Sequence, residues 1–219
     1  VIRAATMLGI HKIRLTGGEP LVRRELHKLV GMIAQVPGIE DISLTTNGIL
    51  LAEQAHDLAA AGLRRVNVSM DSMRPERFRS ITRCGTLERV FEGIRAALEV
   101  GLTPLKINVV VMRGENDDEL LDFAALTFEN DWHVRFIEVM PFESNLWMHR
   151  DKYISSDEML QRLSHMGKLV HVEPPGPTVG RAFPRPPTLS SASSPLTGEE
   201  KGGGETSVEA GPVDPGVGA

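Results

Sequence analysis

The sequence predicts an α/β protein in which parallel strands and outer helices make part of a barrel, and three observations carry that reading. Five short runs rich in β-branched and apolar residues alternate with longer amphipathic stretches, the rhythm of strands joined by returning helices. Glycine, or proline followed by glycine, stands where most of those helices have to stop. Polar and small residues gather where the strand runs end, which is where parallel barrels build their sites. A complete eight-fold barrel takes roughly 250 residues, so 219 residues suit one substantial core or a portion of a larger barrel.

Residues 1–8 have helical spacing and Gly9 can end that helix, which puts the first strand of the alternation ahead of residue 1. Residues 13–15 read as a strand that breaks into Gly17-Gly18. Pro20 fixes the exit and suits the start of a helix over residues 21–36, with Leu26, Leu29, Val30 and Ile33 on one face and Pro37-Gly38 as its stop. A strand at 41–44 stops in Thr45-Thr46-Asn47-Gly48, a helix at 51–61 is ended by Gly62, and a strand at 65–69 ends in Ser69, Asp71 and Ser72. Residues 75–81 read as a short helix and 87–100 as a long amphipathic one closed by Gly101. The run 105–111 is apolar except for Lys106 and Asn108, as suits a strand covered on both faces. Asn116 and the acids after it start a helix at 119–127. A strand at 134–139 follows, Ser155 or Ser156 with Glu158 caps a last helix reaching Met166, and 169–172 has the pattern of a short strand.

The composition changes after Val172. Of the 46 residues from Pro174 to Ala219, nine are proline and nine glycine. So few large apolar side chains remain that burial cannot offset chain entropy, and residues 173–219 are expected to form a disordered tail behind a partial barrel at 1–172. A formal net charge of -5 and a pI near 5.8 argue against a broad nucleic-acid or membrane surface, which needs an extended basic field. No run of about eighteen apolar residues could span a bilayer, and the first residues have neither signal-peptide nor transit-peptide character. Val1 standing inside a helical pattern suggests a chain cut at its front.

The candidate site residues lie at the strand ends. Gly17 and Gly18 let backbone approach a ligand without a Cβ in the way, and Glu19 adds an acceptor; a plain strand-to-helix turn would use the same residues. Arg14 and Lys106 are charges within apolar strands, where a phosphate-bearing ligand would explain both. Ion pairing with Glu138 or Asp71, or a side chain that reaches solvent, would explain them as well. Thr45, Ser69 and Met140 end strands, positions that also start turns or fill cores.

Arg14-Leu15-Thr16-Gly17-Gly18-Glu19-Pro20-Leu21, Thr45-Thr46-Asn47-Gly48, Asn67-Val68-Ser69-Met70-Asp71, Lys106-Ile107-Asn108-Val109-Val110 and Arg135-Phe136-Ile137-Glu138-Val139-Met140-Pro141 follow one another in this order. Together they resemble the GTP 3',8-cyclase family of molybdenum cofactor (molybdopterin) biosynthesis, among the radical S-adenosylmethionine (SAM) enzymes, over residues 1–172. The resemblance implies a partial radical-SAM barrel of TIM-like build with its first strand missing. It implies that Gly17, Gly18 and Glu19, with Ser69 and Met140, hold S-adenosylmethionine, and that Arg14, Thr45 and Lys106 hold GTP; Asn108 and Arg135 fall beside them. The implied reaction is a lyase-type conversion of GTP to (8S)-3',8-cyclo-7,8-dihydroguanosine 5'-triphosphate through a 5'-deoxyadenosyl radical. The family context further implies a homodimer acting ahead of cyclic pyranopterin monophosphate synthase, and the likeness of residues 112–127 to animal versions implies the mitochondrial matrix.

That family also depends on two [4Fe-4S] clusters, each held by several cysteines. This chain has one, Cys84. The expectation is therefore a fragment that carries substrate and cofactor contacts without cluster ligands and is inactive by itself. The alternative is a truncated, non-catalytic variant that binds nucleotide or a partner.

Overall fold

Five parallel strands stand side by side in the order in which the chain makes them. The computed structural model describes residues 1–83, 85–140 and 151–172, and the backbone of residues 206–208. The strands are β1 (Lys12–Leu15), β2 (Asp41–Thr46), β3 (Arg65–Ser69), β4 (Leu105–Val111) and β5 (Trp132–Glu138). Neighbours pair in parallel throughout: Ile13 with Ile42, Leu44 with Val66, Val68 with Ile107, and Val109 with Phe136. Those are the residues that turn under the helices, and the buried core gathers around them. The helices are α1 (Ile2–Met7), α2 (Leu26–Ala34), α3 (Leu51–Ala60), α4 (Pro75–Thr82), α5 (Leu87–Glu99), α6 (Leu120–Glu129) and α7 (Ser156–Leu163).

Close packing of α5 on the chain ahead of α3 depends on one residue without a side chain. A Cβ on Gly93 would stand 2.5 Å from the Gly48 carbonyl oxygen and 2.9 Å from Leu51 Cβ, so only glycine lets the two backbones approach this closely. At the other end of the chain, Ser155 caps α7 by accepting from the Glu158 backbone N–H at 3.2 Å.

Three details differ from the sequence expectation. The continuous helix expected at 21–36 is a 3-10 turn, Pro20–Val22, followed by a break with Glu25 in the left-handed region (φ 55) and then α2. The Glu19 carboxylate accepts from the Leu21 N–H at 2.9 Å and caps that turn. The strand expected at 169–172 does not form, and Leu169 packs on the core as irregular chain. On β4 burial alternates, Leu105, Ile107, Val109 and Val111 being buried and Lys106, Asn108 and Val110 half-buried, so one face is covered by helices and the other open. The expected disordered tail lies outside the described residues apart from Thr206–Val208, which forms a short antiparallel strand, β6, against Val134 to Phe136 of β5. Threonine and valine favour strands, and β5 has a free edge on that side for them to join.

Candidate ligand face of the sheet

Side chains alternate along a strand and neighbouring strands hold them in register, so the open face can be read across the sheet. Thr45 pairs with Asn67, Asn67 with Lys106, and Lys106 with His133. One polar row thus crosses four strands on the face away from the helices. Two residues further toward the strand ends, Ser69 pairs with Asn108 and Asn108 with Arg135. On the other side of the first row, Arg14 pairs with Ser43 and Ser43 with Arg65. Strands stand about 4.8 Å apart, which places the backbones of Thr45 and Lys106 about 10 Å from each other with Asn67 between them.

The face is rich in cations and hydrogen-bond donors. Arg14 is exposed and Lys106 half-buried, so for Arg14 a side chain that reaches solvent is the alternative observed. Arg65 is bonded through its guanidinium to Asp41. Glu138, one partner considered for the cations, lies on the opposite face and accepts from Tyr153 Oη (2.9 Å), Ser156 N (2.5 Å) and Ser156 Oγ (2.7 Å). Asp71, the other, accepts from the Val110 N–H at 2.8 Å. Burial pushes the Asp71 carboxyl up, opposed by that hydrogen bond.

Two glutamates tie the strand-end loops together in the same manner. Glu19, ahead of the first loop helix turn, accepts from Thr46 Oγ1 (2.7 Å) and from the Asn47 N–H (2.7 Å), which fastens the loop after β1 to the loop after β2. Glu119, 1 % exposed, accepts from Ser72 Oγ (2.7 Å), the Met73 N–H (2.7 Å) and Arg77 Nη1 (2.6 Å), which fastens the loop after β3 to the loop after β4. Asn116 completes the second tie, donating to the Asp71 and Val110 carbonyls and accepting from the Met112 N–H. Between the two ties the ends of four strands are held in fixed relation.

The structure brings Thr45, Lys106 and Ser69 together through Asn67 and Asn108. Gly17 and Gly18 are exposed, and a Cβ on either would meet nothing within 4 Å, so the turn opens onto free space. Glu19 stands beside them with both oxygens accepting from the chain. Met140 is 66 % exposed, which removes the reading of it as core filler. Asn67, His133, Asn116 and Glu119 enter the picture from the structure. Asn67 carried a legible signal, a polar residue inside an apolar strand; Glu119 read as one more acid at a helix start.

Among the described residues, one buried side-chain polar atom lacks a hydrogen-bond partner, Asn108 Oδ1, between Ser69 and Arg135. A buried acceptor without a donor suits a ligand that brings one, as the ammonium and hydroxyl groups of S-adenosylmethionine would. An iron-sulfur cluster does not fit the chain's own donors: it takes several thiolates and the sequence holds one cysteine, which lies outside the described residues.

Comparison with known proteins bears on these features. A GTP 3',8-cyclase from Peptoclostridium acidaminophilum is 52% identical over 168 residues, 76% of this chain and 51% of that protein. The enzyme of the same name from Moorella thermoacetica is 51% identical over 164 residues, 75% of this chain and 50% of that protein. The chain thus spans about half the length of the curated relatives it matches. Among solved structures, coproporphyrinogen III oxidase from Escherichia coli, described as a radical SAM enzyme, superposes with a TM-score of 0.56 at 14% identity, covering 72% of this chain and 40% of that one. A domain of pyruvate-formate lyase-activating enzyme from Bacteroides vulgatus gives a TM-score of 0.54 at 20% identity, covering 70% of this chain and 91% of that one. These two similarities concern the fold. The family profile of the Radical SAM superfamily matches residues 1–127, more than half of the chain and all of β1 to β4, and the chain belongs to that superfamily.

Proposed function

We propose that this chain is the nucleotide- and cofactor-facing part of a GTP 3',8-cyclase of molybdenum cofactor biosynthesis, and that by itself it binds GTP without turning it over. The observation that supports this reading best is the basic, donor-rich face formed by Arg14, Thr45 and Lys106, together with relatives of that name at about half identity. In this reading Arg14 and Lys106 meet phosphate oxygens by charge-assisted hydrogen bonds, and Thr45 donates between them. Ser69, the Gly17-Gly18 turn and exposed Met140 line the side toward S-adenosylmethionine, with Asn108 Oδ1 accepting from an ammonium or hydroxyl group. Glu19 orients the turn by its bonds to Thr46 and Asn47. S-adenosylmethionine, when bound beside a reducing cluster, supplies the hydrogen-abstracting radical; the residues here bind and orient.

Calorimetric titration of the 219-residue chain with GTP tests the reading. Each charge-assisted hydrogen bond contributes about 1.5–3 kcal/mol, so Arg14→Ala and Lys106→Ala are each expected to weaken GTP binding at least about tenfold. Unchanged affinity in both variants would remove the phosphate roles and the proposal with them.

A further inference from the structure

The parallel sheet has two outer strands, and the chain treats their edges differently. β1 is four residues long and carries Lys12 and Arg14; among the described residues no strand joins its outer side. Short length and charge make it a poor template for another strand. β5 is seven residues long and contains Trp132, Val134, Phe136 and Ile137, the aromatic and β-branched residues that favour pairing. A long apolar edge recruits further strands unless something covers it. Here it is covered at its middle by β6: Phe136 pairs with Thr206, Arg135 with Ser207 and Val134 with Val208, antiparallel. The covering run is framed in the sequence by Gly202-Gly203-Gly204 before it and Gly211-Pro212 after it, residues that bound strands.

We propose that Thr206–Val208 is an intramolecular cap on β5, and that the edge beneath it pairs strand to strand with a second copy of this chain when the cap is removed. A segment of the same chain competes at an effective concentration of about 1 mM, roughly a thousandfold above free copies at about 1 µM. Residues 173–205 can span at most roughly 110 Å when fully extended, so reach does not limit the cap. Its hold is light. Three residues exchange few hydrogen bonds with β5, each modest once water is accounted for, and Trp132, His133, Ile137 and Glu138 lie beyond its ends. Covalent connection, rather than the strength of the pairing, favours the cap over a neighbouring copy. The β5 strand of that copy is the longer partner and takes the edge once the connected segment can no longer pair. β1 needs no such cover, being blunted by its own length and charge. The cap is independent of the nucleotide reading of the open face.

Two measurements on the full chain test it. In a Cys84→Ser background, Arg135→Cys with Ser207→Cys puts thiols at paired positions, whose Cα atoms stand about 4.5–5.5 Å apart in an antiparallel ladder, within disulfide range. Mild oxidation is expected to give an intrachain disulfide and a single-chain species on a non-reducing gel. An interchain disulfide, or none, overturns the cap. The second measurement removes the pairing. Consecutive strand residues send their N–H groups to opposite sides, so Ser207→Pro with Val208→Pro deletes one that faces β5 whichever of the two it is. Sedimentation velocity between about 1 and 100 µM is expected to show this variant doubling in mass as concentration rises while the wild type does not change. A synthetic peptide of residues 203–211 at about 1 mM is expected to reverse the doubling. A variant that keeps the wild-type mass throughout shows that the edge does not pair with another copy and overturns the proposal. Association that the peptide leaves intact comes from another surface or from misfolding, and overturns it as well.

Discussion

Two residues that look interchangeable in sequence, Glu19 and Glu119, show how much of this protein turns on single carboxylates at strand ends. Each accepts from one hydroxyl and from a backbone N–H of the neighbouring loop. A buried acceptor such as Glu119 matters chiefly through what is stranded when it is lost, since an unsatisfied buried group costs about 1–3 kcal/mol. Glu119→Gln removes the charge opposite Arg77 and turns one acceptor into a donor facing Ser72 or the Met73 N–H. It is expected to lower stability by about 1–3 kcal/mol, seen as a lower urea midpoint with unchanged slope. An unchanged midpoint would show that the β3–β4 tie contributes nothing to the fold.

At the scale of elements, the helices are placed by a few close contacts. At Gly93 a Cβ would stand 2.5 Å from the Gly48 carbonyl oxygen, and Gly93→Ala is expected to push α5 away from α3 at a cost of about 1–3 kcal/mol, measurable by thermal or chemical denaturation. The N-terminus of α7 is fastened to β5 by Glu138. Burial pushes the Glu138 carboxyl up, and the hydrogen bonds from Ser156 and Tyr153 more than offset this, so that it sits below its ordinary value of 4.5. The folded state therefore binds that proton less tightly than the unfolded state. The stabilisation is fully present above about pH 4.5 and is lost as the pH falls through the folded-state value. Denaturation at a series of pH values should show the wild type more stable than Glu138→Gln near neutrality, with the difference shrinking on acidification; a constant difference would contradict the assignment.

At the scale of the whole molecule, the chain pairs part of a radical SAM fold with a sequence that holds one thiol. A four-iron cluster ordinarily takes three or four cysteines. Anaerobic reconstitution of this chain with iron and sulfide is expected to leave no stoichiometric four-iron absorbance, and GTP with S-adenosylmethionine and a reductant is expected to give no cyclised product. A stoichiometric cluster would overturn that expectation. The proposed GTP binding does not share the dependence, because the contacts assigned to it come from β1, β2 and β4.

The strands, their order and most helix stops were legible because they rest on local patterns: alternation in Asp41–Thr46 and Arg65–Ser69, Gly62 and Gly101 behind their helices, Ser155 ahead of α7. The motif stretches that identify the superfamily are equally local. What the sequence left open depends on partners far along the chain. Glu119 reaches Ser72 across 47 residues and Glu19 reaches Thr46 across 27, distances over which no periodicity reports. Asn67 falls between Thr45 and Lys106 only once β2, β3 and β4 are in register. The break before α2, with Glu25 in the left-handed region, was not legible either, since the apolar spacing of residues 21–36 reads as one helix. Local propensity determined which elements form and where their polar ends lie; tertiary register decided which of those ends share a face, because a hydrogen bond between loops exists only where the sheet has already brought them together.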